Sequence, residues 1–141
     1  ARVDTGALVW NPGTNRMGIG TASPAATLDV SGTFSHAKAD ILNQTLTDGA
    51  TISWDTSLGQ IATVTLGGAR TMAAPTNLKV GTYLLHVIQD ATGGRTISWN
   101  AVFKWTAATA PTLSTTGGRR DVFSFISDGT NLYGAMIPDV R

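Results

Sequence analysis

Alternation of apolar and polar positions is the clearest signal along the chain. Thr51-Ile52-Ser53-Trp54 places Ile52 and Trp54 on one face. Residues 60–66 alternate again, with Ile61, Thr63 and Thr65 on one side and Ala62, Val64 and Leu66 on the other. A period of two belongs to a strand, whose successive side chains leave opposite faces. Residues 80–89 hold the longest apolar run, Tyr83-Leu84-Leu85-His86-Val87-Ile88, which predicts a central strand buried on both faces. Further strands are predicted over 96–99, 101–105, 121–126 and 131–137. Ser127-Asp128-Gly129-Thr130 joins the last two, and Asp-Gly between apolar runs is a strong hairpin signal. Turn clusters between these runs fit a sandwich or a barrel.

The N-terminal stretch reads differently. Short bursts, Ala7-Leu8-Val9-Trp10, Met17-Gly18-Ile19-Gly20 and Thr27-Leu28-Asp29-Val30, are cut by Asn11-Pro12-Gly13-Thr14-Asn15 and Thr21-Ala22-Ser23-Pro24. Strands this short, with so few large side chains, bury too little area to offset the entropy of ordering them. They must pack on the rest of the chain or on copies of themselves. The expected organisation is a strand-turn segment over 1–39 followed by a β-sandwich domain over 40–141. Thr51-Ile52-Ser53-Trp54 recurs as Thr96-Ile97-Ser98-Trp99. A solenoid repeat would explain the echo, but nothing else in the two windows aligns, which favours two strands meeting similar steric demands.

Composition narrows the class. Only 13% of the 141 residues are charged, against about 25% in an average soluble domain. All nine acids are aspartate, three of the ten basic residues are lysine, and there are 22 threonines and 16 glycines. Glu and Lys fill the solvent faces of helices, whereas Thr fits a pleated, half-buried surface. A helical bundle and a βαβ enzyme are thereby disfavoured, and the 42% hydrophobic content argues against a disordered tail. The fold class is all-β. A net charge of +1 is too small to drive binding to a phosphate backbone, so no nucleic-acid partner is expected. With no cysteine there is no disulfide framework, thiolate nucleophile or Cys-based zinc site. No apolar run approaches the ~18 residues of a spanning helix, so no membrane insertion is expected. Residues 1–9 lack the build of a signal peptide. Without an initiator Met, the expectation is an internal fragment or a chain not exported by that route.

Candidate chemistry is sparse. His86 lies inside the apolar run, where a ring hydrogen-bonded within a sheet is favoured over a catalytic base. His36 has no nameable partner. Asp48, Asp90 and Asp128 sit at glycine turns, ordinary places for a turn-forming aspartate. No EF-hand spacing or nucleophile elbow is present. With no Glu and several Asp in turns, an opposed carboxylate pair is disfavoured within one chain and stays open only between two subunits. No catalytic residue, metal or cofactor is therefore expected. Phe103 and Trp105 share one strand face, which core packing explains better than a sugar-stacking surface. Trp105 is nevertheless a candidate binding residue. So are Arg119 and Arg120, in an exposed turn after Gly117-Gly118 whose plain reading is solvation and an Arg–Asp pair.

Met17-Gly18-Ile19-Gly20-Thr21-Ala22-Ser23-Pro24 through Leu28-Asp29-Val30-Ser31-Gly32 resembles an element recurring in the shafts of bacteriophage tail fibres and tail spikes. Leu46-Thr47-Asp48-Gly49, Gly81-Thr82-Tyr83, Gln89-Asp90, Gly93-Gly94-Arg95-Thr96 with Trp99, Lys104-Trp105, Pro111-Thr112-Leu113-Ser114 and Asp121-Val122-Phe123 resemble a module of phage tail and fibre proteins. The resemblance implies an intertwined homotrimer with Leu8, Trp10, Ile19, Leu28 and Val30 buried between chains. It also implies a non-enzymatic virion protein that assembles with other virion proteins and attaches to a host surface receptor, a glycan among the options. Many such fibres end in a self-cleaving chaperone domain, which on this reading was removed or is lacking in this branch. A head fibre or capsid decoration protein without a receptor role, and a carbohydrate-binding module of a depolymerase, are the alternatives.

Overall fold

In a computed structural model, residues 8–141 are described, and their regular structure is almost entirely strand. Ala7, the first residue of the first predicted burst, lies outside the described residues. The chain divides into two compact units, Ala1–Ala39 and Asp40–Arg141.

In the first unit, β1 (Leu8–Asn11), β2 (Arg16–Ile19) and β3 (Leu28–Val30) form one sheet in that order. β1 and β2 are antiparallel, and β2 and β3 are parallel. The Asn11 side chain closes the first hairpin by accepting bonds from the backbone N–H groups of Gly13 and Thr14. Across the longer β2–β3 connection, Asp29 accepts a bond from Ala25 N at 2.8 Å, and the Arg16 guanidinium donates to Pro24 O. Gly20 has a φ of 72°, and a Cβ there would sit 2.7 Å from the Ser31 carbonyl oxygen. Only glycine fits that turn.

The second unit contains β4 (Asn43–Thr45), β5 (Thr51–Ile52), β6 (Ile61–Leu66), β7 (Arg70–Met72), β8 (Val80–Gln89), β9 (Ile97–Trp99), β10 (Phe103–Lys104), β11 (Arg120–Asp128) and β12 (Leu132–Val140). They form a six-stranded sheet, β10-β12-β11-β8-β6-β4, and a three-stranded sheet, β5-β7-β9. From β4 to β9 the chain alternates between the two sheets, and neighbours within each sheet are parallel. Each strand pair therefore winds onto the last. Backbone bonds such as Leu46 N to Thr63 O, Ala73 N to Ile52 O and Asp90 N to Leu66 O tie one winding to the next. β8, β11 and β12 then pair antiparallel.

Inward-facing residues of both sheets make one core, in which Trp54, Phe123, Phe125, Ile52, Leu66, Met72 and Leu85 are fully buried. The alternation in 60–66 is realised, with Ala62, Val64 and Leu66 inside. β8 corrects an expectation. Tyr83, Leu85, Val87 and Gln89 are buried, but Leu84, His86 and Ile88 on its other face are only half-buried, because nothing within this unit covers that side of the sheet. The Thr-Ile-Ser-Trp echo falls on the two edge strands of the small sheet. Its rows run Ile52–Met72–Trp99 inside and Thr51–Thr71–Ser98 outside, so the copies are displaced by two residues. A shift of two preserves which face each side chain takes.

The charged turns differ from expectation at one point. Asp90 and Asp128 bond the backbone of their own turns, but Asp48 reaches into the next winding. There it accepts from Gly67 N and pairs with the Arg70 guanidinium at 2.7 Å. Hydrogen bonding from Arg70 holds the Asp48 carboxyl below its ordinary range.

Candidate functional site

The apolar residues assigned to association in the first unit fall on one sheet face. Strand pairing aligns Leu8 with Ile19 and Ile19 with Val30, and in the next row Trp10 with Met17 and Met17 with Leu28. Residues directly opposite across a sheet share a face, so two rows of three apolar side chains stand side by side. Leu8, Trp10, Met17, Ile19 and Leu28 are 43, 50, 37, 41 and 51% exposed. Met17 is not among the residues expected between chains, although the Arg16-Met17-Gly18-Ile19 alternation carries the signal.

Trp105 follows β10 and packs into a cluster of rings. Its centroid lies 5.0 Å from that of Trp99, 5.7 Å from Phe123 and 5.6 Å from Phe125. Its Nε1 is buried without a hydrogen-bond partner among the described residues. The ring is half-buried and bounds a groove of about 310 Å³ with Pro111, Met136 and Pro138. Across it, Gly134 leaves room for the aromatic rings, because a Cβ there would lie 2.5 Å from the Phe125 ring and 2.7 Å from that of Trp105. Gly134→Val is expected to force the two rings apart and destabilise the unit by about 1–3 kcal/mol. A urea melt read by near-ultraviolet circular dichroism would check it, and an unchanged midpoint and spectrum would contradict the packing argument.

Arg119 and Arg120 diverge. Arg119 pairs with Asp139 at 3.3 Å rather than with Asp121, its neighbour in sequence. Arg120 stands on the outer face of the six-stranded sheet, where its Nη1 lies 3.5 Å from His86 Nδ1. Desolvation, reinforced by Arg120, lowers the His86 pKa and favours its neutral form. Asp121 points inward and is 1% exposed, accepting bonds from Ser114 N, Ser114 Oγ and Asp139 N. The sheet itself therefore separates Trp105, packed on inner-face rings, from Arg120 outside. No single pocket unites the three candidate binding residues.

At the far end of the β11–β12 hairpin, Asp128 accepts bonds from Thr130 N, Asn131 N and the Tyr133 hydroxyl. These hold its carboxyl at about 2, from an ordinary value of 3.8. A carboxyl lowered on folding stabilises above its unfolded pKa, and the contribution is lost as pH falls through the folded value. Thermal stability is therefore expected to drop between about pH 4 and pH 2. Asp128→Asn should flatten part of that drop in a series of thermal melts, and an identical pH profile would refute the assignment. Asp48, Asp55, Asp90 and Asp139 are lowered as well and contribute in the same direction.

Among the described residues, no group of three or more His, Asp or other ligating side chains is placed to hold a metal, and no helix is long and apolar enough to cross a membrane. Residues 45–132, more than half of the chain, match the family described as "Putative phage tail fibre C-terminal domain". The chain belongs to this phage tail fibre family. No curated protein and no solved structure matches it. The tail fibre match runs from the end of β4 to the start of β12, taking in both sheets and the ring cluster. The Met17–Gly32 element lies outside it. Membership makes the protein a structural component of a phage tail.

Proposed function

We propose that this tail fibre chain works as a homotrimer that carries the phage to the host cell surface without catalysing a reaction. The observation that supports the reading is the uncovered apolar face of the first unit. Leu8, Trp10, Met17, Ile19, Leu28 and Val30 form a continuous patch on a three-stranded sheet too small to own a core. Copies wrapped together would bury it, and an interface of the obligate kind would supply stability that a chain without cysteine cannot take from disulfides. Three receptor sites on one assembly would then act multivalently, so that weak individual contacts add to firm attachment. On this reading Arg119 and Arg120 are the candidate contacts to an anionic surface polymer.

Purified protein should have a trimeric mass in native mass spectrometry at micromolar concentration, bind host cells and block phage adsorption. A monomeric mass would sink the oligomer. A trimer that neither binds cells nor competes with phage would instead sink the attachment role.

A further inference from the structure

Arg120 stands apart from the other arginines among the described residues. Arg70 pairs with Asp48, Arg95 with Asp90, and Arg119 and Arg141 both reach Asp139, while Arg16 donates to a backbone carbonyl. Arg120 is exposed on the outer face of the six-stranded sheet, with no carboxylate of the described residues in ion-pair reach. The ionisable group it meets is His86, across the β8–β11 pairing, with 3.5 Å between Nη1 and Nδ1. The neighbouring positions on that face are uncharged. β6 sets Thr63 beside His86, and β4 sets Thr45 beside Thr63. β11 sets Val122 beside it, and β12 sets Ile137 beside Val122. Leu84 and Ile88 flank it on β8. Asp121 takes the opposite side of the sheet, buried against Ser114.

A guanidinium this close suits only a neutral imidazole, whose Nδ1 can accept from it; a protonated ring would set two cations side by side. Desolvation, and after it Arg120, accordingly lower the His86 pKa. An oxyanion reverses that balance. Its oxygens can take the Arg120 N–H groups and a protonated His86 nitrogen together, giving both cations a partner. We propose that Arg120 and His86 jointly hold an oxyanion of the host surface polymer, with His86 taking up a proton as the oxyanion binds. The inference rests on the attachment reading above, and adds to it a second residue, a ligand class and a dependence on pH. By linkage, a ligand that favours protonated His86 binds more tightly as pH falls, until the free imidazole is itself protonated. A sugar carboxylate and a phosphate or sulfate ester share the chemistry, since each presents oxygens that a guanidinium can grip in pairs.

The full chain should be titrated against polygalacturonate, dextran sulfate and uncharged dextran at one ionic strength, at about pH 7.5 and about pH 5.5. At least one anionic polymer should bind about threefold or more tighter at the lower pH, and dextran should not bind. Preference for polygalacturonate would assign a carboxylate, and preference for dextran sulfate an ester. Arg120→Ala should weaken binding about threefold or more at both pH values. His86→Gln should abolish the pH dependence, and His36→Gln should keep it. Both sheet variants should retain the tryptophan fluorescence of the folded unit, because Trp54, Trp99 and Trp105 belong to the core on the other side. In the His36→Gln variant His86 is the one remaining histidine, and its ring resonances should titrate at higher pH with polymer bound than without. A pH dependence that survives His86→Gln, or a titration that bound polymer leaves unmoved, would overturn the proton uptake. A protein that binds host cells but neither anionic polymer would overturn the oxyanion site and leave attachment standing. One that binds an anionic polymer through these residues but not cells would keep the site and remove the attachment role.

Discussion

Phe125→Ala is expected to destabilise the second unit by about 4 kcal/mol, enough to leave a marginally stable domain substantially unfolded. Phe125 is fully buried on β11, the strand held between β8 and β12. Its ring stacks on Phe123 at 6.1 Å and meets Phe103 at 5.5 Å and Trp105 at 5.6 Å. Removing it forfeits the burial of a large apolar side chain and leaves a cavity. The surrounding rings are carried by β11 itself, by β10 and by the residue that follows it, so they cannot close that cavity without shifting these segments. Aromatic pairing contributes a further ~0.5–1.5 kcal/mol per contact. Equilibrium urea unfolding of wild type and variant at one protein concentration would measure the difference, concentration being fixed because association shifts apparent stability. A loss below about 1 kcal/mol would mean that the cluster is not a core.

The second large effect is expected at Asp121. Its carboxylate is buried and holds three donors, two from Ser114 and one from the Asp139 backbone. Ser114 lies in the loop after Leu113, and Asp139 has a φ of 51° next to the register shift near the start of β11. One side chain thus fastens a loop and the end of β12 to the start of β11, inside the sheet. Asp121→Ala leaves two part-buried backbone N–H groups without acceptors, at about 1–3 kcal/mol each, and should cost about 3 kcal/mol in total after partial rehydration. Hydrogen exchange should localise the damage, with protection lost around Ser114 and Asp139 before the centre of β8. Uniform loss across the unit would argue that Asp121 supports the whole fold rather than these two segments.

Much of the strand content was legible because alternation reports local burial. Ile52 with Trp54, and Ala62 with Val64 and Leu66, take the inner face as their spacing requires. The Asp128-Gly129 turn closes a hairpin for reasons contained in four residues. β4 and β7 were not legible. Asn43-Gln44-Thr45 has no apolar alternation, and Arg70-Thr71-Met72 is only three residues long. Both are strands because parallel neighbours accept and supply their backbone bonds. Such pairing depends on residues far away in the chain and leaves no mark in a short window. The same holds for Arg120 beside His86, which are 34 positions apart and meet only through the β8–β11 register.

The sequence by itself determined that the chain is all-β and that its N-terminal strands are too small to own a core. These follow from composition and period, which act within a few residues. Only the tertiary structure decided that consecutive strands alternate between two sheets. It also decided that Met17 completes the first apolar face, and that β8 shows one face to the core and the other outward. Those outcomes depend on which strands pair and in what register, and register is set by the summed burial of both sheets rather than by any single segment.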